Sequence, residues 1–203
     1  PQKELDILKT RNTSMIQEDM ENTRSQALRA MSRLLFPKEH PYHSVTSKEE
    51  MALSNKITRA DIQSYYKKYF DYSTMVISVV GDVSPKTKEI LNKYLSKPNK
   101  RGILLPEIPI PKTQTKIQKE IIVIPAKANA DLIISQAVLV IYNDPAYLPL
   151  LLATSIFGGS GFTSRLMNEV REKRGLTYGV NASLSGVSTL SFCSLMIWGT
   201  FAP

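Results

Sequence analysis

Arg171 and Tyr178 belong to the segment FGGSGFTSRLMNEVREKRGLTYGV, residues 157–180. A guanidinium presents a rigid fork of N–H donors and a phenol presents one O–H. Both can grip a carbonyl, or an oxygen that gains negative charge during a reaction. For the pair to meet, the chain between them must turn back. The segment opens with a glycine-rich turn (Gly158, Gly159, Gly161) and continues with apolar residues at helical spacing. It breaks at Gly175 and resumes as a strand through Tyr178. Arg171 therefore falls at the end of the helical part and Tyr178 just beyond the break. The turn lacks the Lys-Ser/Thr of a phosphate loop and the G-x-G-x-x-G spacing. Its task reads as backbone geometry, a tight turn that seats Thr163 or Ser164 as a helix cap. On spacing alone, the plain alternative is that Arg171 pairs with Glu169 or Glu172 on a solvated face while Tyr178 packs in a sheet. Arg165 and Arg174 read as solvated surface cations.

The elements around this segment are those of a globular chain. Its 203 residues, 42% of them hydrophobic, suffice for one large domain or two compact halves of roughly 100 residues. No apolar run reaches the ~18 residues that a membrane-crossing helix needs. The net charge of +8 comes from Lys and Arg dispersed among acidic neighbours. No basic stripe interleaves with aromatics, so nucleic-acid binding is not expected. A single cysteine, Cys193 in SFCSLMIW, excludes an internal disulfide and reads as a small hydrophobe in a buried strand. The chain starts PQKELDILKT with no apolar leader and stops soon after an apolar strand, and both ends read as cuts in a longer polypeptide. Localisation is therefore left open.

From Lys3 to Leu35, apolar residues recur at three- and four-residue steps. This predicts either one extended helix or two with a bend near Asn22-Thr23, ended by Phe36-Pro37. The stretch KEHPYHSVTSKEE reads as a turn-rich bridge. Thr58 and Asp61 form a cap and N3 pair ahead of a helix carrying Ile62, Tyr65, Tyr66, Tyr69 and Phe70. A strand is expected over Thr74–Val80, then a helix with Pro85 at its first position. The proline-rich SKPNKRGILLPEIPIPKTQT marks a boundary: residues 1–96 form one unit, 97–117 a linker and 118–203 another. Beyond it, strands are expected over Lys119–Pro125 and Leu132–Ile141. Helices follow from Asp144 to Ile156 and about Thr163 to Lys173, then strands about Thr177–Leu184 and Thr189–Ile197. The fold class is α+β, helices lying on a sheet in each half.

Several of these stretches together resemble the insulinase/pitrilysin family of zinc peptidases, the inverzincins. FPKEHPYH is similar to the family's F…HPxG turn, and ITRADIQSYYKKYFDYSTMVISVVGDVSP to the block that follows it. NDPAYLPLLLATSIFGGSGFTSRLMNEVREKRGLTYGV closely resembles the signature of the family's second domain. The resemblance spans roughly residues 5–190. It implies repeated two-layer domains, of the insulinase/mitochondrial-processing-peptidase type, with helices on antiparallel sheets that close around a peptide. It also implies zinc in the parent protein, bound by H-x-x-E-H and a later Glu. No such pentapeptide occurs here; the only histidines, His40 and His43, have no Glu between them, and Met15 falls where the third ligand would stand. Glu18 could serve only if the alignment slipped by three residues.

The chain is therefore expected to hold no metal and to come from the non-zinc repeat. By resemblance, Arg171 and Tyr178 match an arginine/tyrosine pair that reaches from this unit toward the zinc domain, bonds the substrate backbone and steadies the tetrahedral intermediate. The implied partners are a peptide or unfolded polypeptide substrate and the zinc-bearing half, in the same protein or in a partner subunit. The chain alone is expected to be inactive. The alternative reading is a non-catalytic scaffold or partner subunit of the same fold, with a basic module for acidic peptides or nucleic acid ranked behind it.

Overall fold

The computed structural model describes residues 1–70, 75–95, 107–110, 114–186, 188 and 193–202. The chain divides into two compact units, one of residues 1–8 and 55–106, the other of residues 9–54 and 107–203. The division does not follow the proline-rich stretch alone, because residues 9–54 group with the C-terminal part. Most of the expected linker, 97–106 and 111–113, lies outside the described residues.

In the first unit, α4 (Arg59–Tyr69) starts at the expected cap. Thr58 and Asp61 form a reciprocal capping box, in which the Asp61 carboxylate accepts the Thr58 backbone N–H at 2.8 Å. Its aromatics pair one turn apart, Tyr65 with Tyr69 and Tyr66 with Phe70. Helix α5 (Pro85–Leu95) begins at Pro85, where the missing N–H has no partner to lose. The expected strand at Thr74–Val80 is corrected: Thr74 lies outside the described residues, and Met75–Val80 joins no ladder, with Val76 and Val80 almost fully exposed. The second unit holds a parallel case in the expected strand Lys119–Pro125, where Ile121 and Val123 are also exposed. Apolar, β-branched composition marks residues that fit a pleated surface, and a ladder forms only where a partner strand lies alongside.

The long helical pattern resolves into two helices, α1 (Gln2–Met20), which opens in the first unit, and α2 (Thr23–Leu35). They break where the sequence allows a bend. Asn22 turns extended and its side chain accepts the Ser25 N–H at 3.0 Å as the cap of α2. Gln26 closes the corner by donating to the Asp19 carbonyl at 2.9 Å. A helix stands where a turn-rich bridge was expected: α3 (Ser47–Lys56). Thr46 and Glu49 cap it reciprocally, at 3.2 Å for Glu49 N–H to the Thr46 hydroxyl and 2.8 Å for Thr46 N–H to the Glu49 carboxylate. Arg29 then ties three helices, bonding Asp19 at 2.8 Å and Glu50 at 2.6 Å.

The sheet of the second unit is antiparallel, in order β1-β3-β2, from β1 (Ala130–Val138), β2 (Thr177–Ser185) and β3 (Cys193–Phe201). Helix α2 lies against β1. At its first turn Thr23 donates to Asp131 at 2.5 Å, Thr200 donates to the other carboxylate oxygen at 2.5 Å, and Asn129 adds a bond at 3.1 Å. One carboxylate thus joins the start of α2 to two strands. Beside it the Arg24 guanidinium sits 3.6 Å from the centre of the Trp198 ring.

Helix α6 (Tyr147–Thr154) continues into a π-helical turn, Ser155–Gly159, which packs on β2. The approach is as close as backbone permits. A Cβ on Gly158 would stand 2.6 Å from both the Cβ and the backbone N of Ala182 and 2.8 Å from Leu166. Asn181 fixes the contact by donating to the Gly158 carbonyl at 3.1 Å.

Gly158→Ala is expected to lower stability by about 1–3 kcal/mol, because the strand backbone cannot yield as a flexible side chain would. Urea unfolding checks this, with a reduced midpoint at an unchanged slope as the expected result. Asp19 supplies a pH test. Burial raises its pKa, but hydrogen bonds from Ser25 and Arg29 and the Arg29 charge outweigh burial and leave it below its ordinary value of 3.8. A depressed carboxylate pKa stabilises the fold above the unfolded value, and this is lost as pH falls through the folded one. Asp19→Asn is therefore expected to destabilise by on the order of 1 kcal/mol at neutral pH. Denaturation across an acid series should show the difference vanishing once Asp19 protonates.

Candidate functional site

The segment after α6 builds its turn from short pieces. Gly161–Thr163 makes one 3-10 turn, and Ser164, fully buried, leads into a helix whose residues Met167–Glu172 are π-helical. Ser164 begins that helix, as one of the two expected caps. Its carbonyl accepts the Asn168 N–H at 3.0 Å and its hydroxyl lies 3.4 Å from the Met167 N–H. The wider π winding is a local departure from α geometry of a kind often found at functional sites. It ends at Glu172 with Lys173 as its C-cap, and Gly175 follows with a φ of +61°, the left-handed conformation that disfavours any residue with a Cβ. Gly175 N–H bonds the Arg171 carbonyl at 2.8 Å and Leu176 N–H bonds the Val170 carbonyl at 3.1 Å. These bonds fold the chain back directly under Arg171.

What happens next decides where Tyr178 points. Strand alternation would place Tyr178 with Val180 and Ala182, which are 7% and 1% exposed. Instead β2 carries a bulge: Thr177 pairs with Phe201 and Gly179 with Thr200, leaving Tyr178 as the extra residue. The Thr177 hydroxyl, buried, donates to the Thr200 carbonyl and lies 3.1 Å from the Gly179 N–H it accepts. The bulge rotates Tyr178 out of the sheet, and it is 93% exposed.

The structure brings Arg171 and Tyr178 together. The Arg171 guanidinium carbon lies 5.6 Å from the centre of the Tyr178 ring and 4.6 Å from that of Phe162. Its Nε lies 3.6 Å from the Glu172 carboxylate, while Glu169 is engaged by Lys173 at 2.5 Å, which lowers the Glu169 pKa. The plain alternative thus accounts for one contact of Arg171, to Glu172, and not for Tyr178, which stands clear of the sheet. Arg165 and Arg174 are exposed. Phe162 did not stand out in the sequence, because a lone aromatic in a glycine-rich turn carries no periodicity.

The two histidines and the residues at the third-ligand position have partners or exposure of their own. His40 is buried, its Nδ1 accepting the Tyr42 N–H at 3.1 Å and its Nε2 lying 3.0 Å from the Pro109 carbonyl. His43 directs Nδ1 to the Phe36 carbonyl at 2.8 Å. Both rings serve backbone groups of the turn after α2, and His40 stacks on Phe36 at 4.5 Å. Met15 and Glu18 are exposed on α1. Among the described residues there is no group of three or more His, Cys, Asp or Glu side chains that could hold a metal ion. No helix among them is long and apolar enough to cross a membrane.

No curated protein sequence matches the chain. It is similar to the crystal structure of a peptidase M16 inactive domain from Pseudomonas fluorescens, with 26% identity and a TM-score of 0.81 over 100% of this chain and 47% of that one. A protease from Helicobacter pylori shares the fold at 14% identity, with a TM-score of 0.84 over 100% of this chain and 49% of that one. A conserved protein from Enterococcus faecalis V583 shares it at 21% identity and a TM-score of 0.61, over 95% and 44%. The chain thus spans about half the length of the solved structures it matches, and its α+β architecture is theirs. The family model of the peptidase M16 inactive domain matches residues 56–199, running through the proline-rich stretch and the whole Arg171–Tyr178 segment. This chain belongs to the peptidase M16 inactive-domain family.

Proposed function

We propose that the chain forms part of the wall of a peptide-binding chamber in an insulinase-type zinc endopeptidase, where Arg171 and Tyr178 grip the substrate. The observation that carries this reading is the meeting of a guanidinium and an outward-turned phenol on one exposed patch. A turn and a bulge dedicated to that placement are more than surface solvation requires. The N–H fork and the O–H can both donate to a peptide carbonyl, and their bonds strengthen as that oxygen gains charge. The zinc site belongs to another part of the assembly, in the same protein or in a partner subunit. This chain's contribution is to bind and orient the peptide and to hold hydrogen-bond donors at its oxygen.

Arg171→Ala and Tyr178→Phe in the complete peptidase test this directly. Each is expected to lower turnover of an internally quenched peptide by on the order of 10²-fold, the usual effect of losing one such donor, with zinc occupancy unchanged. Unchanged turnover in both variants would remove the grip and leave the non-catalytic scaffold as the reading of this fold.

A further inference from the structure

Phe162 lies in the 3-10 turn Gly161–Thr163 and is 68% exposed. Its ring has a specific neighbour: the ring centre is 4.6 Å from the Arg171 guanidinium carbon, nearer than that of Tyr178. The turn is braced on either side of it. Thr163 donates to the Ser160 carbonyl at 3.0 Å, and Ser164 N–H bonds the Gly161 carbonyl at 3.0 Å. Ser164 itself is fully buried, so the backbone carrying Phe162 is fixed to the body of the unit.

A phenyl ring attracts a cation through the negative face of its π system, yet it offers no conventional hydrogen-bond acceptor. It can therefore hold a guanidinium in place without occupying an N–H that a substrate oxygen would need. Glu172 does the opposite, since its carboxylate competes for the Nε donor from 3.6 Å. We infer that Phe162 is a positioning residue for Arg171, and that the turn carrying it sets this ring against the guanidinium. The inference deepens the proposed substrate grip and rests on it for its consequence in turnover, though not for its geometry.

Two measurements separate the inference from the reading beneath it. The first is the Arg171 Nε–H resonance of the complete peptidase in 1H–15N spectra. Ring currents from Phe162 displace it, Phe162→Leu is expected to return it toward the position of a free arginine, and Phe162→Tyr is expected to keep it displaced. A resonance that Phe162→Leu leaves unmoved overturns the inference, whatever the catalytic result. The second is turnover in the complete peptidase. Phe162→Leu is expected to lower kcat about two- to fivefold, the scale of one exposed cation–π contact, with Phe162→Tyr near the parent value. In an Arg171→Ala background Phe162→Leu should have no further effect. An equal loss in both backgrounds would show that Phe162 acts on its own and would overturn the inference. Full turnover in Arg171→Ala alone would instead overturn the grip, and the resonance would still decide whether Phe162 positions the arginine.

Discussion

One extra residue in an edge strand sets the character of this surface. Without the bulge between Thr177 and Gly179, the two-residue period of β2 would turn the Tyr178 phenol into the face that carries Val180 and Ala182. The buried Thr177 hydroxyl, shared among the Thr200 carbonyl and the Gly179 backbone, holds the irregular pairing in place. Bulges commonly re-aim a side chain where a site needs it. Here the re-aimed residue arrives beside Arg171, which the left-handed Gly175 has brought to the same end of the sheet.

Around this point the second unit is held by few but well-bonded polar groups. Asp131 accepts from Thr23, Thr200 and Asn129, so the beginning of α2 is fixed to β1 and β3 by one carboxylate with both oxygens engaged. Arg29 does similar work among α1, α2 and α3 through Asp19 and Glu50. Much apolar surface remains in water, including Leu132 and Ile134 on β1 and Leu148 and Leu152 on α6.

The nearness of Arg171 and Tyr178 was legible in the sequence, while two of the expected strands were not formed. Gly175, the glycine turn and the helical spacing between them are local signals, and they sufficed to place Arg171 and Tyr178 near each other. The break at Asn22, the cap at Thr58 and the helix start at Pro85 were legible for the same reason. Helix α3 was written equally plainly in Thr46-x-x-Glu49, but the surrounding Pro, His and Ser residues drew attention to turns. The apolar runs at Met75–Val80 and Lys119–Pro125 misled because a strand depends on a neighbour, and no local pattern encodes where that neighbour lies. The bulge was hidden too. Nothing in TYGV distinguishes a phenol turned outward from one packed inward until the ladder to Thr200 and Phe201 is drawn. Phe162 gained its meaning only from its distance to Arg171.

The central claim is that the bulge and the turn deliver two donors to a single substrate oxygen. A double-mutant cycle in the complete peptidase, combining Arg171→Ala with Tyr178→Phe, addresses it most directly. Donors that share one oxygen act as a unit, so the combined loss in kcat/KM should be well below the product of the single losses. Losses that simply multiply would mean that the two residues serve different atoms, and would contradict the account.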